Sequence, residues 1–219
     1  MRISVVGPGR IGGNTARQAL KTGHEVVLSF SRDAGRLEGL AGELGPGASA
    51  ATPAQAVQSS EVVVFAVPWD AIDEALAQTG SLDGRIVIDT TNQYGRSEMP
   101  AAGQTAAQFN AARMSGARYT KSFNTLTSAF QAETADRTGD ERVVQWICGD
   151  DADANRVVAH LIEAMGYQPV DLGGTADCEV MEAPRRPGAV YGEEYRLADA
   201  RAVVEAVNAG RPIPPTPSY

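Results

Sequence analysis

Near its start the chain reads Arg2-Ile3-Ser4-Val5-Val6-Gly7-Pro8-Gly9-Arg10-Ile11-Gly12-Gly13-Asn14-Thr15, and this stretch decides the fold. Arg2–Val6 has the composition of a short buried strand. It runs into a G-x-G-x-x-G loop, Gly7 to Gly12, and then into Asn14–Lys21, whose spacing predicts a helix. Strand, glycine loop and helix in that order form a place for a pyrophosphate. Gly7 permits the tight turn, a side chain at Gly9 would block the approach of phosphate to the backbone, and Gly12 lets the helix pack closely on the strand. The first amides of the helix then point free N–H groups and a partial positive charge at the phosphates.

The next strand, His24–Ser29, refines this reading. In NAD-binding folds its end carries an Asp or Glu about 20 residues beyond the glycines, which binds the ribose 2′-hydroxyl. Here the end reads Ser29-Phe30-Ser31-Arg32. A carboxylate would repel a 2′-phosphate, whereas two hydroxyls and a guanidinium would bind one through charge-assisted hydrogen bonds. The expected cofactor is therefore NADP(H).

The pattern then repeats. Asp33–Leu44 predicts a helix capped by Asp33, Ala48–Ala51 a short strand, and Thr52-Pro53 the start of a short helix. Glu61–Val67 is apolar almost throughout, as a central parallel strand should be, and stops at Pro68-Trp69. Asp70–Gln78 predicts a helix, Arg85–Asp89 a strand ending in Thr90-Thr91-Asn92, Gln104–Met114 a helix and Arg118–Phe123 a strand ending in Asn124-Thr125. This alternation means an α/β, doubly wound, mostly parallel Rossmann sheet, expected in the order 3-2-1-4-5-6. The ligand should lie outside the carboxyl ends of the strands, where Gly7–Gly12, Val67–Trp69, Thr90–Asn92 and Phe123–Thr125 converge.

Beyond strand six, Arg142–Cys148 and Gln168–Leu172 predict strands, Ala152–Met165 and Leu197–Ala209 helices, with a further short helix leading to Met181. The expected organisation is a nucleotide-binding core over 1–125, an extension over 126–210 packed on the same domain, and a loose proline-rich tail over 211–219. Net charge is −8, which argues against nucleic acid or an anionic membrane as partner. No apolar run approaches the ~20 residues of a membrane span. No secretory leader is evident, and the two cysteines, Cys148 and Cys178, form no C-x-x-C pattern. The expectation is a reduced, cytoplasmic protein without a metal site.

Reduction of a ketone or imine needs a proton donor beside the nascent oxygen or nitrogen. The candidates are Tyr191, Tyr94 and Lys121, none in a recognisable catalytic spacing. His24 and His160 read as structural and solvated, Glu179 and Glu182 as helix surface charges, and Asp150-Asp151-Asp153 as a helix cap. An acceptor that stores charge in its own ring, a flavin or deazaflavin, needs only positioning and exclusion of water. The short stretch after strand six leaves a shallow cleft suited to such a ring.

The chain resembles the NADPH-dependent reductases of coenzyme F420. The likeness is carried by Gly7–Gly13, Gly23–Ser29 with Ser31-Arg32, Ala66–Trp69, Val87–Asp89 with Thr91-Asn92, Lys121–Thr125, Cys148–Asp151, and Pro187-Gly188 with Tyr191-Gly192. The strand-five loop Thr90–Arg96 and the Arg185-Arg186 insertion depart from the archaeal members, and the chain is more similar to the bacterial branch. The resemblance implies that Gly9–Ile11, Ser31 and Arg32 hold the adenosine and phosphates. It implies that Trp69, Asn92 and Asn124 line the nicotinamide end, and that the acceptor ring stacks near Thr125 and the loop Pro184–Tyr191. It also implies a homodimer. Arg185 and Arg186 either meet an anionic acceptor tail or form a solvated basic loop.

Three functions follow as expectations. The first is hydride transfer between NADPH and coenzyme F420. The second is reduction of a small ketone, imine or free flavin, with Tyr191 as proton donor where the acceptor is a carbonyl or imine. The third is a non-catalytic module that senses NADPH.

Overall fold

The computed structural model describes the backbone of residues 1–219 and every side chain but that of Ala34. In chain order the elements are β1 (Arg2–Val6), α1 (Arg10–Lys21), β2 (Glu25–Ser29), α2 (Ala34–Leu44), β3 (Ala48–Ala50), α3 (Pro53–Gln58), β4 (Val62–Phe65), α4 (Ile72–Thr79), β5 (Ile86–Asp89), α5 (Ala106–Arg113) and β6 (Arg118–Lys121). There follow α6 (Ser128–Thr134), β7 (Val144–Ile147), α7 (Ala152–Ala164), β8 (Gln168–Asp171) and α8 (Leu197–Asn208), with 3₁₀ turns at Trp69–Ala71, Gly139–Glu141 and Thr175–Met181. The first six strands form one parallel sheet in the order β3-β2-β1-β4-β5-β6, as the alternation predicts.

The sheet is apolar on both faces because helices cover both. Val63 and Phe65 of β4 enter one core with Val6, Val87 and Ile72, while Val62 and Val64 enter the other with Ile3, Val5, Ile86 and Ile88. This is why β4 reads as an unbroken apolar run rather than an alternation. The extension feeds the same two cores, with Trp146, Tyr195 and Val203 on one side and Ile147, Leu161 and Ile162 on the other.

The later strands do not continue the main sheet. β7 and β8 pair in parallel as a separate two-stranded sheet. A single antiparallel bridge joins them to β6, with Lys121 N donating to Cys148 O at 2.7 Å and Cys148 N to Lys121 O at 3.1 Å. Arg118 and Asp151 reinforce that seam. Arg118 Nε and Nη2 donate to the two carboxylate oxygens of Asp151 at 2.6 and 3.1 Å, while Oδ1 also accepts from the Asp153 and Ala154 amides at the start of α7.

Two helices differ from the sequence reading. Helix α1 begins at Arg10, earlier than Asn14, because the glycine loop is shorter than the spacing suggests. Helix α6 has no apolar stripe to announce it; Thr127 caps it, accepting from Phe130 N at 3.3 Å. The tail over 211–219 has no regular secondary structure but makes contacts. Ile213 packs on the core, and the Tyr219 hydroxyl accepts from Arg196 N at 2.9 Å and donates to Asp199 Oδ2 at 2.5 Å.

The Arg118 hydrogen bond, helped by the Ala154 amide, holds the Asp151 carboxyl at about 2, below its ordinary 3.8. A depressed folded-state pKa contributes stability that is present above the unfolded value and lost as pH falls through the folded one. Thermal unfolding followed by circular dichroism should therefore show stability declining between about pH 4 and pH 2, and Asp151→Asn should flatten part of that decline. An Asp151→Asn protein with the same acid profile as the parent would remove this seam from the account.

Candidate functional site

The glycine loop behaves as the sequence predicts. Gly7 sits at φ +86°, where a Cβ would meet Ala66 O at 2.8 Å, and its N–H donates to Ser29 O at 2.9 Å. At Gly12 a Cβ would lie 2.6 Å from Gly7 O and 2.9 Å from Val5 Cγ1, so any larger residue would push α1 off β1. At Gly9 a Cβ would meet nothing within 4 Å: the loop faces open space there. The amino end of α1 carries no side-chain cap and no acid in its first turn. By contrast Asp33 caps α2, Thr52 caps α3, Thr105 caps α5 and Asp151 caps α7. The start of α1 is left with free N–H groups.

A cleft of about 830 Å³ opens from this loop, between the ends of β2 and β4. Gly7, Pro8 and Gly9 form one wall, Phe30, Ser31, Arg32 and Arg36 a second, and Val67, Pro68 and Asp70 a third. Phe30 adopts φ +61°, a conformation that non-glycine residues hold at a cost of roughly 1–3 kcal/mol. It turns the chain sharply at the end of β2, just before Ser31 and Arg32, both of which are exposed.

Ser29 and Trp69, assigned to the site from sequence, are turned away from it. Ser29 is the last residue of β2 and fully buried, its hydroxyl without a partner among the described residues, so it is its neighbour Ser31 that lines the cleft. Trp69 is 2% exposed. Its ring stacks on Phe109 with centroids 5.9 Å apart, and its Nε1 donates to Glu98 O at 3.0 Å, so it anchors the 93–104 loop from inside. The large apolar ring gains more from the core beneath α5 than from the cleft. Arg36, which the sequence reading missed, lines the cleft from the first turn of α2.

A second group gathers at the ends of β5 and β6. Asn92 Nδ2 donates to Asn124 O at 2.9 Å, Asn124 Nδ2 donates to Asn92 Oδ1 at 3.2 Å and to Met181 O at 2.8 Å. Asn124 Oδ1 and Thr125 Oγ1 are buried and have no partner among the described residues. Phe123, at φ +57°, sets the turn that presents them. Gly192 N donates to Thr125 O at 2.8 Å, which brings Tyr191 to the same place. Tyr191 lies beside Tyr94, ring centroids 6.4 Å apart, and burial raises its pKa, so the hydroxyl keeps its proton at neutral pH.

Beneath this group lies a buried ion pair. Lys121 Nζ sits 3.4 Å from Asp89 Oδ2 and donates to Thr91 O at 2.8 Å, both side chains fully buried. Asp89 also accepts from Tyr119 Oη at 2.6 Å, Asn110 Nδ2 at 2.7 Å and Thr91 N at 2.8 Å. Burial pushes the Asp89 pKa up, but Lys121 and these donors more than offset it, so the carboxyl stays ionised. Thr91 is gripped at both its N–H and its carbonyl and is itself buried. Lys121 is thus a structural cation. Glu182, read as a surface charge, is buried instead: its carboxylate accepts from Ala106 N at 2.8 Å and Ala107 N at 2.7 Å, at the start of α5. Arg185 pairs with Glu193 at 2.6 Å, and Arg186 donates to Glu182 O and Glu179 O, so both arginines brace their own loop.

Comparison with known proteins places this geometry. Residues 2–93 match the model of a family described as NADP oxidoreductase, coenzyme F420-dependent. That match bears out the resemblance carried by the sequence over this stretch. The chain is 28% identical over 182 residues to the metalloreductase STEAP3 of Rattus norvegicus and covers 83% of itself but only 36% of that protein's length. A hypothetical protein from Sinorhizobium meliloti has the same structure over 90% of this chain and 95% of its own, at 28% identity and a TM-score of 0.76. A reductive aminase from Aspergillus terreus, solved with NADPH and ethyl-5-oxohexanoate, aligns at 25% identity with a TM-score of 0.61, over 80% of this chain and 56% of its own. Among the described residues no helix is long and apolar enough to cross a membrane.

Arg32 and Arg36 have no carboxylate partner among the described residues, and both line the cleft. Arg32→Ala should weaken NADPH binding by about 1.5–3 kcal/mol, the worth of hydrogen bonds to a charged group, and leave NADH nearly unchanged. Arg36→Ala should show the same selectivity, measured by titrating nucleotide against intrinsic fluorescence. Equal losses for the two nucleotides would break the assignment of this wall to a 2′-phosphate.

Proposed function

We propose that the protein is an NADP(H)-dependent oxidoreductase that passes hydride between NADPH and the deazaflavin coenzyme F420. The observation that carries the cofactor half is the end of β2, where Ser31 and Arg32, joined by Arg36, line the cleft, while the neighbouring Asp33 is engaged in capping α2. The family description over residues 2–93 supports both the cofactor and the acceptor.

The chain's own residues divide the work by position. The uncapped start of α1, with Gly9 open before it, would take the pyrophosphate. Ser31, Arg32 and Arg36 would take the 2′-phosphate, with Val67 and Pro68 as the apolar floor. Asn124 Oδ1 and Thr125 Oγ1 are orphaned acceptors that a primary amide would satisfy, which suits the carboxamide of a nicotinamide. Bound NADPH supplies a hydride. The Asn92–Asn124 clasp, held from below by Asp89 and Lys121, keeps those acceptors in place. The acceptor ring belongs at the Thr125 and Tyr191 edge, and the homodimer expected from the resemblance would help cover it.

A second reading keeps the cofactor and changes the acceptor to a small ketone or imine. It is favoured by Tyr191, which keeps its proton and whose neighbour Gly192 is bonded to Thr125 O, and by the aminase fold likeness. Two measurements separate the readings. Mixing the protein with NADPH and oxidised coenzyme F420 should bleach the deazaflavin's visible absorbance rapidly, and far faster than with NADH. Tyr191→Phe should leave that rate within about twofold, because a ring acceptor needs no proton from the protein in the hydride step. No bleaching, together with confirmed NADPH binding and a carbonyl activity lost in Tyr191→Phe, would transfer the assignment to the second reading.

A further inference from the structure

A second groove adjoins the cofactor cleft at Pro8, Gly9, Arg36 and Leu40, and its remaining lining, from Gly13 to Arg17 of α1 and on α6, is not used by the cofactor assignment. Its volume is about 570 Å³, and three helices form it. Helix α1 contributes Arg10, Gly13, Asn14 and Arg17, at spacing i, i+3, i+4 and i+7, so they share one face. Helix α2 contributes Arg36, Gly39, Leu40 and Glu43 at the same spacing, and α6 closes the groove with Ser128, Ala129 and Ala132.

What distinguishes this groove is that three arginines without an acid partner gather in it. Elsewhere most guanidiniums meet an acid: Arg2 with Glu25, Arg113 with Asp73, Arg118 with Asp151, Arg137 with Glu194. Arg142, Arg156, Arg185, Arg186 and Arg196 do the same. Arg10, Arg17 and Arg36 are exposed and have no such partner among the described residues, although the chain carries a net charge of −8. Glu43 lines the far part of the groove and forms no salt bridge with any of them. A Cβ built on Gly13 would lie 3.9 Å from Arg17 Nη1, so this guanidinium reaches back toward the amino end of α1. A cation held there opposes the helix dipole, and like charges gathered in one groove repel. Small residues keep the space between the arginines clear: a Cβ on Gly39 would meet nothing within 4 Å.

We infer that this groove binds a second, phosphate-bearing small anion beside the dinucleotide. Arg10 and Arg17 would clamp it from α1 and Arg36 from α2, while Glu43 favours a ligand whose charge is concentrated at the arginine end. The groove shares Pro8, Gly9, Arg36 and Leu40 with the proposed cofactor cleft, and Arg10 also belongs to the phosphate end of that reading, but Arg17 lines only the second groove, so the two can be tested apart.

The probe is inorganic pyrophosphate, titrated by calorimetry into the full-length protein saturated with NADP⁺ and, in parallel, into the nucleotide-free protein. Saturable binding is expected in both, weakening as ionic strength rises. Arg17→Ala, an exposed helix position that should not disturb folding, is expected to weaken pyrophosphate by about tenfold or more and leave NADP⁺ affinity within about twofold. Pyrophosphate that binds only the free protein and is displaced by NADP⁺ would overturn the inference, because the anion would then be occupying the cofactor's own phosphate site. Unchanged pyrophosphate affinity in Arg17→Ala would overturn it as well. If the protein fails to bind NADP⁺ yet holds pyrophosphate through Arg17, the cofactor assignment falls and the second groove stands.

Discussion

The separation between Gly12 and Gly7 governs the rest of the molecule. A methyl group at Gly12 would have to occupy a point 2.6 Å from Gly7 O and 2.9 Å from Val5 Cγ1, and backbone oxygen cannot yield as a flexible side chain can. Helix α1 therefore sits hard against the end of β1. That contact forces the turn at Gly7 into positive φ and leaves the first amides of α1 facing across the top of the sheet. Because β2 and β4 pair with opposite edges of β1, the chain leaves in opposite directions on either side of that helix start. The cleft between Phe30–Arg36 and Val67–Asp70 is the space those diverging connections cannot fill.

A second constraint holds the other end of the site. Burying Asp89 and Lys121 together costs desolvation that a pair of apolar side chains would avoid. What the pair supplies in return is a fixed chain direction: it fastens Thr91 at both of its backbone polar groups, one residue before the Asn92–Asn124 clasp. The loop that follows is fastened too. Asp70 Oδ1 accepts from Arg96 N at 2.7 Å and Ser97 N at 2.8 Å, and these amides hold its carboxyl below the usual range. Trp69 grips Glu98 from the inside. A loop rich in small and polar residues is thereby held at the mouth of the site by the two residues that follow Pro68.

The sequence made some of this legible and hid the rest for identifiable reasons. The order of the six strands was readable because helices cover both faces of the sheet, so β4 shows its burial as an unbroken apolar run. The glycine loop was readable because each glycine answers a separate steric demand. Orientation was not readable: Ser29 and Ser31 are the same residue two positions apart, and the left-handed turn at Phe30 sends one inward and leaves the other exposed. The same holds for Trp69 and Glu182, whose buried partners, Phe109 and the α5 amides, come from distant parts of the chain. Pairing at long range carries no local pattern, so a carboxylate that caps a helix some 75 residues earlier looks like any surface glutamate.

Net charge is also a poor guide to what this surface attracts. The chain is acidic overall, yet several of its acids are committed to its own framework: Asp33 and Asp151 to helix caps, Glu182 to α5, Asp70 to a loop, Asp89 to a lysine. Many arginines are spent in the same way, on carboxylates or, like Arg85 and Arg186, on carbonyls. The potential that a ligand meets is set by charges left over after this internal pairing, at distances comparable with the ~8–10 Å screening length. At the glycine loop the leftovers are mainly positive, with Glu43 and Glu74 as acids without an ion-pair partner among the described residues. The first turn of α1 holds no acid, β2 ends without one, and Arg10, Arg17, Arg32 and Arg36 line the two adjoining clefts. An acidic protein can thus present a largely cationic edge of its sheet, because folding has committed many of its carboxylates elsewhere.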